Sequence, residues 1–123
     1  LRNALNGKDI ILKSEGTQFR SYCYLSDAAS GVFHVLLNGK EGECYNLASS
    51  NSNSTIREYA ERMAQIFDTK IRFELPDKIE STGYSKMQYE ILDSSKLVSL
   101  GWKAKFDLNS GIRRMKDILY EVE

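Results

Sequence analysis

From Phe19 the chain alternates with a period of two. Phe19, Cys23 and Leu25 fall on one face with small Ser21 among them, and Gln18, Arg20, Tyr22 and Tyr24 fall on the other. This pattern predicts a strand over 19–25 that sets its first face against a core. Gly16, after Ser14 and Glu15, supplies the turn before it. Ser26 is placed to cap a following helix whose first turn holds Asp27. Upstream, Ile10-Ile11-Leu12-Lys13 is a short apolar run, predicted to be a strand paired with 19–25 across the turn at 14–18. Leu1 to Asn6 reads as the tail of a helix stopped by Gly7. A helix tail at residue 1, without a Met, points to a segment of a longer protein.

Downstream the period becomes helical. Ala28, Val32, Val35 and Leu36 recur at helix spacing, and Phe33 and Leu37 widen the stripe, so a helix is expected over 27–37 with Asn38 and Gly39 ending it. So wide an apolar surface needs cover on more than one side. Gly42 to Ala48 reads as a short strand after a glycine turn, and the Ser/Asn run 49–54 as a solvated loop. Thr55-Ile56-Arg57-Glu58 is a capping box opening a third helix with Ile56, Tyr59, Ala60, Met63, Ile66 and Phe67 on its core face. Ile71, Phe73 and Leu75 alternate in the next strand, ended by Pro76. Residues 77–88 are polar and irregular. Near 93–102, Asp93 or Ser94 caps a short helix, Leu97 and Leu100 bury, Gly101 makes a left-handed stop and Trp102 covers the end. A last helix opens near Asp107 with Leu108, Ile112, Met115, Leu119 and Val122 on its apolar face; Gly111 inside it should cost about 1 kcal/mol relative to Ala.

A chain of 123 residues with this order of elements is one mixed α+β domain or a piece of one. Seventeen basic residues balance seventeen acidic ones, so a broad cationic surface for nucleic acid is not indicated. Arg20 is the residue with the most chemical promise: a guanidinium is planar, permanently charged, and donates in a fork that matches phosphate oxygens. On spacing alone, the plainer reading is a strand arginine paired with a carboxylate. Cys23 and Cys44 suggest neither a disulfide framework nor a metal site, and Cys23 is expected as a buried free thiol. His34 by itself builds neither a metal site nor a catalytic dyad. No run of about eighteen apolar residues is present, so no membrane-spanning helix is expected.

Arg20-Ser21-Tyr22-Cys23-Tyr24-Leu25-Ser26-Asp27 resembles the Arg-x-aromatic-x-aromatic-aliphatic-x-Asp segment of the extended short-chain dehydrogenases/reductases, the NAD-dependent nucleotide-sugar epimerases, dehydratases and decarboxylases. Gly7, Gly16-Thr17-Gln18, Tyr45-Asn46-Leu47 and Leu92-Asp93-Ser94-Ser95-Lys96-Leu97…Leu100-Gly101-Trp102 are similar to further family segments in the same order. The departures are Ala48 in place of a usual Gly, and Ser81 to Lys86 where many members carry an Arg-Pro-Gly segment; no Arg stands between Arg72 and Arg113.

The resemblance implies that this is the C-terminal, substrate-binding portion of such an enzyme, with the Rossmann core absent. It implies that Arg20 contacts the diphosphate of a UDP- or dTDP-linked sugar. It also implies that Tyr22 borders the site, that Asn51 touches the sugar nucleotide, and that Lys86 stands in for a second phosphate-binding Arg without forming its fork. NAD would be the cofactor of the complete enzyme. The Gly-rich phosphate turn is missing, and none of the tyrosines is followed four residues on by Lys, so the catalytic Tyr-x-x-x-Lys pair is missing too. The expectation is a chain that is catalytically inert and binds no cofactor alone. In the family the helix from Asp27 and the strand around Tyr45 pack on the nucleotide-binding domain, so the isolated chain should self-associate. A cytoplasmic location is expected, with no membrane or nucleic-acid partner. Two other classes carry their own signatures. A stand-alone interaction module would show a self-sufficient core. A nucleic-acid binder would show a basic face with exposed aromatics around Tyr22 and Tyr24.

Overall fold

The computed structural model describes residues 1–76 and 87–121. In chain order the elements are α1 (Arg2–Leu5), β1 (Ile10–Leu12), β2 (Phe19–Arg20), α2 (Leu25–Asn38), a 3-10 turn (Ser50–Ser52), β3 (Ser54–Thr55), α3 (Ile56–Phe67), β4 (Ile71–Phe73), β5 (Tyr89–Glu90), α4 (Ser95–Ser99) and α5 (Leu108–Glu121). Helix and strand are mixed, as the periodicity predicts. Lys86 and Val122 lie outside the described residues.

The strand pairing departs from expectation. β1 does not pair with β2; it lies parallel to β4, with Ile10 opposite Ile71. β2 is instead the middle strand of a second sheet, antiparallel to β3 and parallel to β5. The cause lies in the turn between β1 and β2. Gly16 O accepts from Arg57 N at 2.9 Å, Gln18 O from Ile56 N at 3.1 Å, and Glu15 O from Arg57 Nε at 2.9 Å. The turn is thus tied to the start of α3, which carries β2 away from β1. Gly16 is needed twice over: its φ is +68°, and a Cβ there would sit 2.8 Å from Arg57 N.

The strand over 19–25 shrinks to two residues, and its faces come out differently. Leu25 opens α2 and is 81% exposed, whereas Tyr22 and Tyr24 turn toward packing partners. Tyr22 stacks on Tyr59 with centroids 4.8 Å apart, and Tyr24 meets Phe106 at 4.6 Å. Rings of that size bury more apolar area than Cys23 or Leu25 offer, so they take the inner positions. Tyr24 also explains Gly111, where a Cβ would come within 3.1 Å of the Tyr24 ring. The residue that looked like a weak point in α5 makes room for an aromatic. Gly42 lies in a turn with φ +75°, and residues 43–48 belong to no helix or ladder. They are held through side chains: Asn46 Nδ2 donates to Asp93 O at 3.0 Å and Lys96 Nζ to Cys44 O at 3.0 Å.

The core forms where α1, α3 and α5 meet, around Ala4, Met63, Phe67, Leu108 and Ile112, with Ile10, Tyr22, Tyr59 and Met115 packed against it. The capping box of α3 is present in both directions: Glu58 N donates to Thr55 Oγ1 at 3.0 Å, and Thr55 N donates to Glu58 Oε2 at 2.8 Å. At α5, Asp107 Oδ1 accepts from Ser110 N at 2.7 Å. The Ser110 hydroxyl and N–H hold the Asp107 carboxyl below the usual carboxylate range. A lowered folded-state value means this cap stabilises at neutral pH and is lost as pH falls through that value.

Ser26 does not cap α2. The helix begins two residues earlier than expected, at Leu25, and Asp27 reaches elsewhere. Its buried carboxylate accepts from Lys105 N at 3.0 Å and Phe106 N at 2.9 Å, fixing the approach to α5. One turn on, Ser30 Oγ accepts from Trp102 Nε1 at 3.0 Å, Gly31 lies against Trp102 and Leu47, and His34 Nε2 meets Leu100 O at 2.9 Å. The stripe of α2 that docks on its own chain is therefore Asp27, Ser30, Gly31 and His34, at helical spacing. The apolar stripe points away: Val32, Phe33, Leu36 and Leu37 are 54%, 65%, 72% and 82% exposed.

Replacing Asp27 by Ala takes the acceptor from the N–H groups of Lys105 and Phe106. The loss expected is about 3 kcal/mol, from two charge-assisted hydrogen bonds. Asp27→Asn, which keeps an acceptor oxygen, should lose clearly less. Urea unfolding of the three proteins checks this; equal stabilities for Asp27→Ala and the parent would show that the two bonds carry no weight.

Candidate functional site

The short β2 ladder sets the position of Arg20. It faces Ser54 of β3 on one side and Glu90 of β5 on the other, so its side chain is held in the middle of a sheet. Nε lies 2.9 Å from Glu90 Oε2, Nη2 donates to Met87 O at 3.0 Å, and Nη1 donates to Phe19 O at 3.2 Å. The side chain is 18% exposed. The arginine is thus oriented by two carbonyls and neutralised by one carboxylate. That pairing is the plainer of the two sequence readings, although the residue is more enclosed than an ordinary strand arginine.

The other sequence candidates separate in space. Tyr22 lies half-buried on Tyr59 and lines a cavity of about 270 Å³ together with Cys23, Tyr24, Gly111 and Met115. Burial pushes its phenol up, nearby Tyr59 adds to this, and Arg20 acts in the opposite sense. Asn51 is exposed on the 3-10 turn and lines a different cavity of about 400 Å³ with Ser49, Ser94, Trp102 and Lys103. Arg20 lines neither of these cavities. Lys86 lies outside the described residues. The loop taken as solvated is in part packed inside: Ser49, Ser52 and Ser54 are buried, and Ser49 Oγ has no hydrogen-bond partner.

Glu90 is the residue that sequence reasoning missed. It follows an irregular segment and precedes no motif of its own, so only the β2–β5 register reveals it. Asp27 was visible, but as a helix-start charge rather than as the acceptor for a distant loop. Cys23 and Cys44 are both free; Cys23 is half-buried rather than buried, and desolvation, reinforced by Asp27, pushes its thiol up. Among the described residues no group of three or more His, Cys, Asp or Glu side chains could hold a metal ion, and no helix is long and apolar enough to cross a membrane.

Helix starts are the usual cradle for a dinucleotide pyrophosphate. Those of α3 and α5 are filled by their own capping side chains, and α2 opens after Tyr24 rather than a glycine. Among the described residues, none of the three long helices opens on a glycine-led turn.

Comparison with known proteins places this geometry. The model of the NAD dependent epimerase/dehydratase family matches residues 1–48. A dTDP-glucose 4,6-dehydratase of Escherichia coli (strain K12) is 29% identical over 119 residues, covering 91% of this chain and 32% of that protein. A trifunctional UDP-glucose 4,6-dehydratase/UDP-4-keto-6-deoxy-D-glucose 3,5-epimerase/UDP-4-keto-L-rhamnose-reductase of Arabidopsis thaliana is 27% identical over 118 residues, 93% of this chain and 17% of that protein. Among solved structures, dTDP-glucose 4,6-dehydratase from Bacillus anthracis in complex with NAD superposes with a TM-score of 0.82 at 21% identity, over 99% of this chain and 37% of that one. UDP-glucose 4-epimerase with UDP-glucose from Thermotoga maritima gives 0.80 at 20% identity, over 98% and 37%. The resemblance carried by the sequence motifs is therefore to NAD-dependent epimerases and dehydratases, and the fold is shared with part of those enzymes. The chain spans a third or less of the length of these two curated relatives.

The contacts of Arg20 change what its removal should do. From the sequence, its side chain lies off the core face and Arg20→Ala should leave stability almost unchanged. In the structure the same change removes the ion-pair partner of Glu90 and one hydrogen bond to the Met87 carbonyl. A loss of about 1–2 kcal/mol is expected, the partial exposure of the pair discounting the larger value of a buried one. Thermal or urea unfolding decides between these two figures.

Proposed function

We propose that this chain is the nucleotide-sugar-binding portion of an NAD-dependent epimerase, dehydratase or decarboxylase, and that it is catalytically inert by itself. The observation that carries this reading is the likeness of nearly the whole chain to about a third of such enzymes, with Arg20 held rigidly on the middle strand of the second sheet. In this reading Arg20 takes the diphosphate of a UDP- or dTDP-linked sugar through charge-assisted hydrogen bonds. Asn51 and Lys86 contribute further polar contacts, and Tyr22 braces the strand from the side of the cavity it lines.

NAD belongs to the complete enzyme. It supplies hydride transfer at the sugar, and no residue of this chain is assigned a step on it. What supports an inert chain is the missing Tyr-x-x-x-Lys pair and, among the described residues, the lack of an open, glycine-led helix start. Titration with UDP should show saturable binding that Arg20→Ala weakens by about one to two powers of ten. Arg20→Lys should recover only part, because an ammonium keeps the charge and loses the fork. NAD should give no saturable heat; micromolar NAD binding would refute the fragment reading.

The outward stripe of α2 is the second support. Leu25, Phe33, Leu36 and Leu37 are each more than half exposed on one helix, and patches of this kind mark contact surfaces. We assign their cover to the nucleotide-binding portion of the parent enzyme. Without that cover, the isolated chain should self-associate in sedimentation velocity at tens of micromolar, a concentration on the order of those where exposed apolar surface drives association. Phe33→Lys with Leu36→Lys should return it to a monomer. A parent chain that is already monomeric would remove this support.

A further inference from the structure

Arg20 meets three partners of two different kinds. The carbonyls of Phe19 and Met87 are backbone groups, one in β2 itself and one shortly before β5. Glu90 is a side chain, and its carboxylate is 38% exposed against 18% for the arginine. It can turn into water while the carbonyls keep the guanidinium oriented. A guanidinium carries five N–H donors, and the bonds to Glu90, Met87 and Phe19 occupy one on each nitrogen. A phosphate arriving at the two that remain would meet a cation already cancelled, beside a carboxylate of its own sign.

We propose that Glu90 is an internal competitor for the anion site of Arg20. Its carboxylate occupies the guanidinium in the empty state, must swing away when a diphosphate binds, and thereby sets the affinity of the site. The exchange is one of ion pairs on the same guanidinium, phosphate for carboxylate, with no covalent step. This inference rests on the reading that Arg20 holds the diphosphate. The β2–β5 register gives it its geometry, because Arg20 and Glu90 are directly opposed on adjacent strands.

The experiment is calorimetric titration of UDP, and separately of inorganic pyrophosphate, into the full chain and its Glu90→Gln, Arg20→Ala and doubly substituted variants, each first checked by thermal melting. Glu90→Gln keeps the size and an acceptor oxygen but removes the charge. It should bind both probes about tenfold more tightly than the parent, the scale of one relieved like-charge contact, and the gain should vanish when Arg20→Ala is added. If Glu90→Gln melts early, Glu90→Asp, with a shorter reach to the guanidinium, should show a smaller gain in the same direction. Equal or weaker binding by Glu90→Gln, with Arg20→Ala still defective, would overturn the competitor and make Glu90 an orienting partner, leaving the Arg20 reading intact. Unchanged UDP binding in Arg20→Ala, or no binding by parent and Glu90→Gln alike, would sink the Arg20 reading and the competitor with it.

Discussion

The buried carboxylate of Asp27 is the interaction on which the arrangement of this chain depends. It lies in the first turn of α2 and accepts the N–H groups of Lys105 and Phe106, which immediately precede α5. That single group ties two helices distant in sequence, and the Trp102–Ser30 bond and the bare Cα of Gly31 continue the seam. The packing of Tyr24 on Phe106 and against Gly111 follows from the same closure. Charge-assisted hydrogen bonds in a dry setting are strong and directional, so the seam fixes an angle as well as a contact.

The seam also inverts the usual logic of an amphipathic helix. The small and polar stripe of α2 faces its own chain, and the apolar stripe faces outward. Burial of apolar area is the dominant force in folding, and this chain leaves Val32, Phe33, Leu36 and Leu37 outside its own core. The hydrophobic pattern gave the helix its place and length, but it could not say which face the chain itself would use. That decision rested on Gly31 and Asp27, whose partners lie seventy or so positions away at Trp102, Lys105 and Phe106, a spacing no local pattern encodes.

Much of the rest was legible for local reasons. The α3 capping box, the α1 tail ended by left-handed Gly7, and the Leu97–Gly101–Trp102 turn each satisfy their requirements within a few residues. Apart from the start of α2, which comes earlier than Ser26 suggests, the failures are non-local. β1 looked like the partner of the next strand because hairpins are the commonest solution, yet the turn between them is claimed by Arg57. Residues 42–48 carry a strand pattern but pair with no strand among the described residues. At the candidate site Arg20 was visible as chemistry, while Glu90, its principal partner, became visible only through register.

The strand pairings have a kinetic side. Phe19 pairs with Thr55 and with Tyr89, and Ile10 pairs with Ile71; even the consecutive strands β2 and β3 are separated by residues 21–53, which include the whole of α2. No ladder can therefore begin as a hairpin, and every rung has to wait for a long stretch of chain to close on itself. Loop closure of that kind slows folding far more than it weakens the folded state. Helices α2, α3 and α5 can form on their own timescale, whereas the setting that holds Arg20 is assembled only when the chain has found its distant ends.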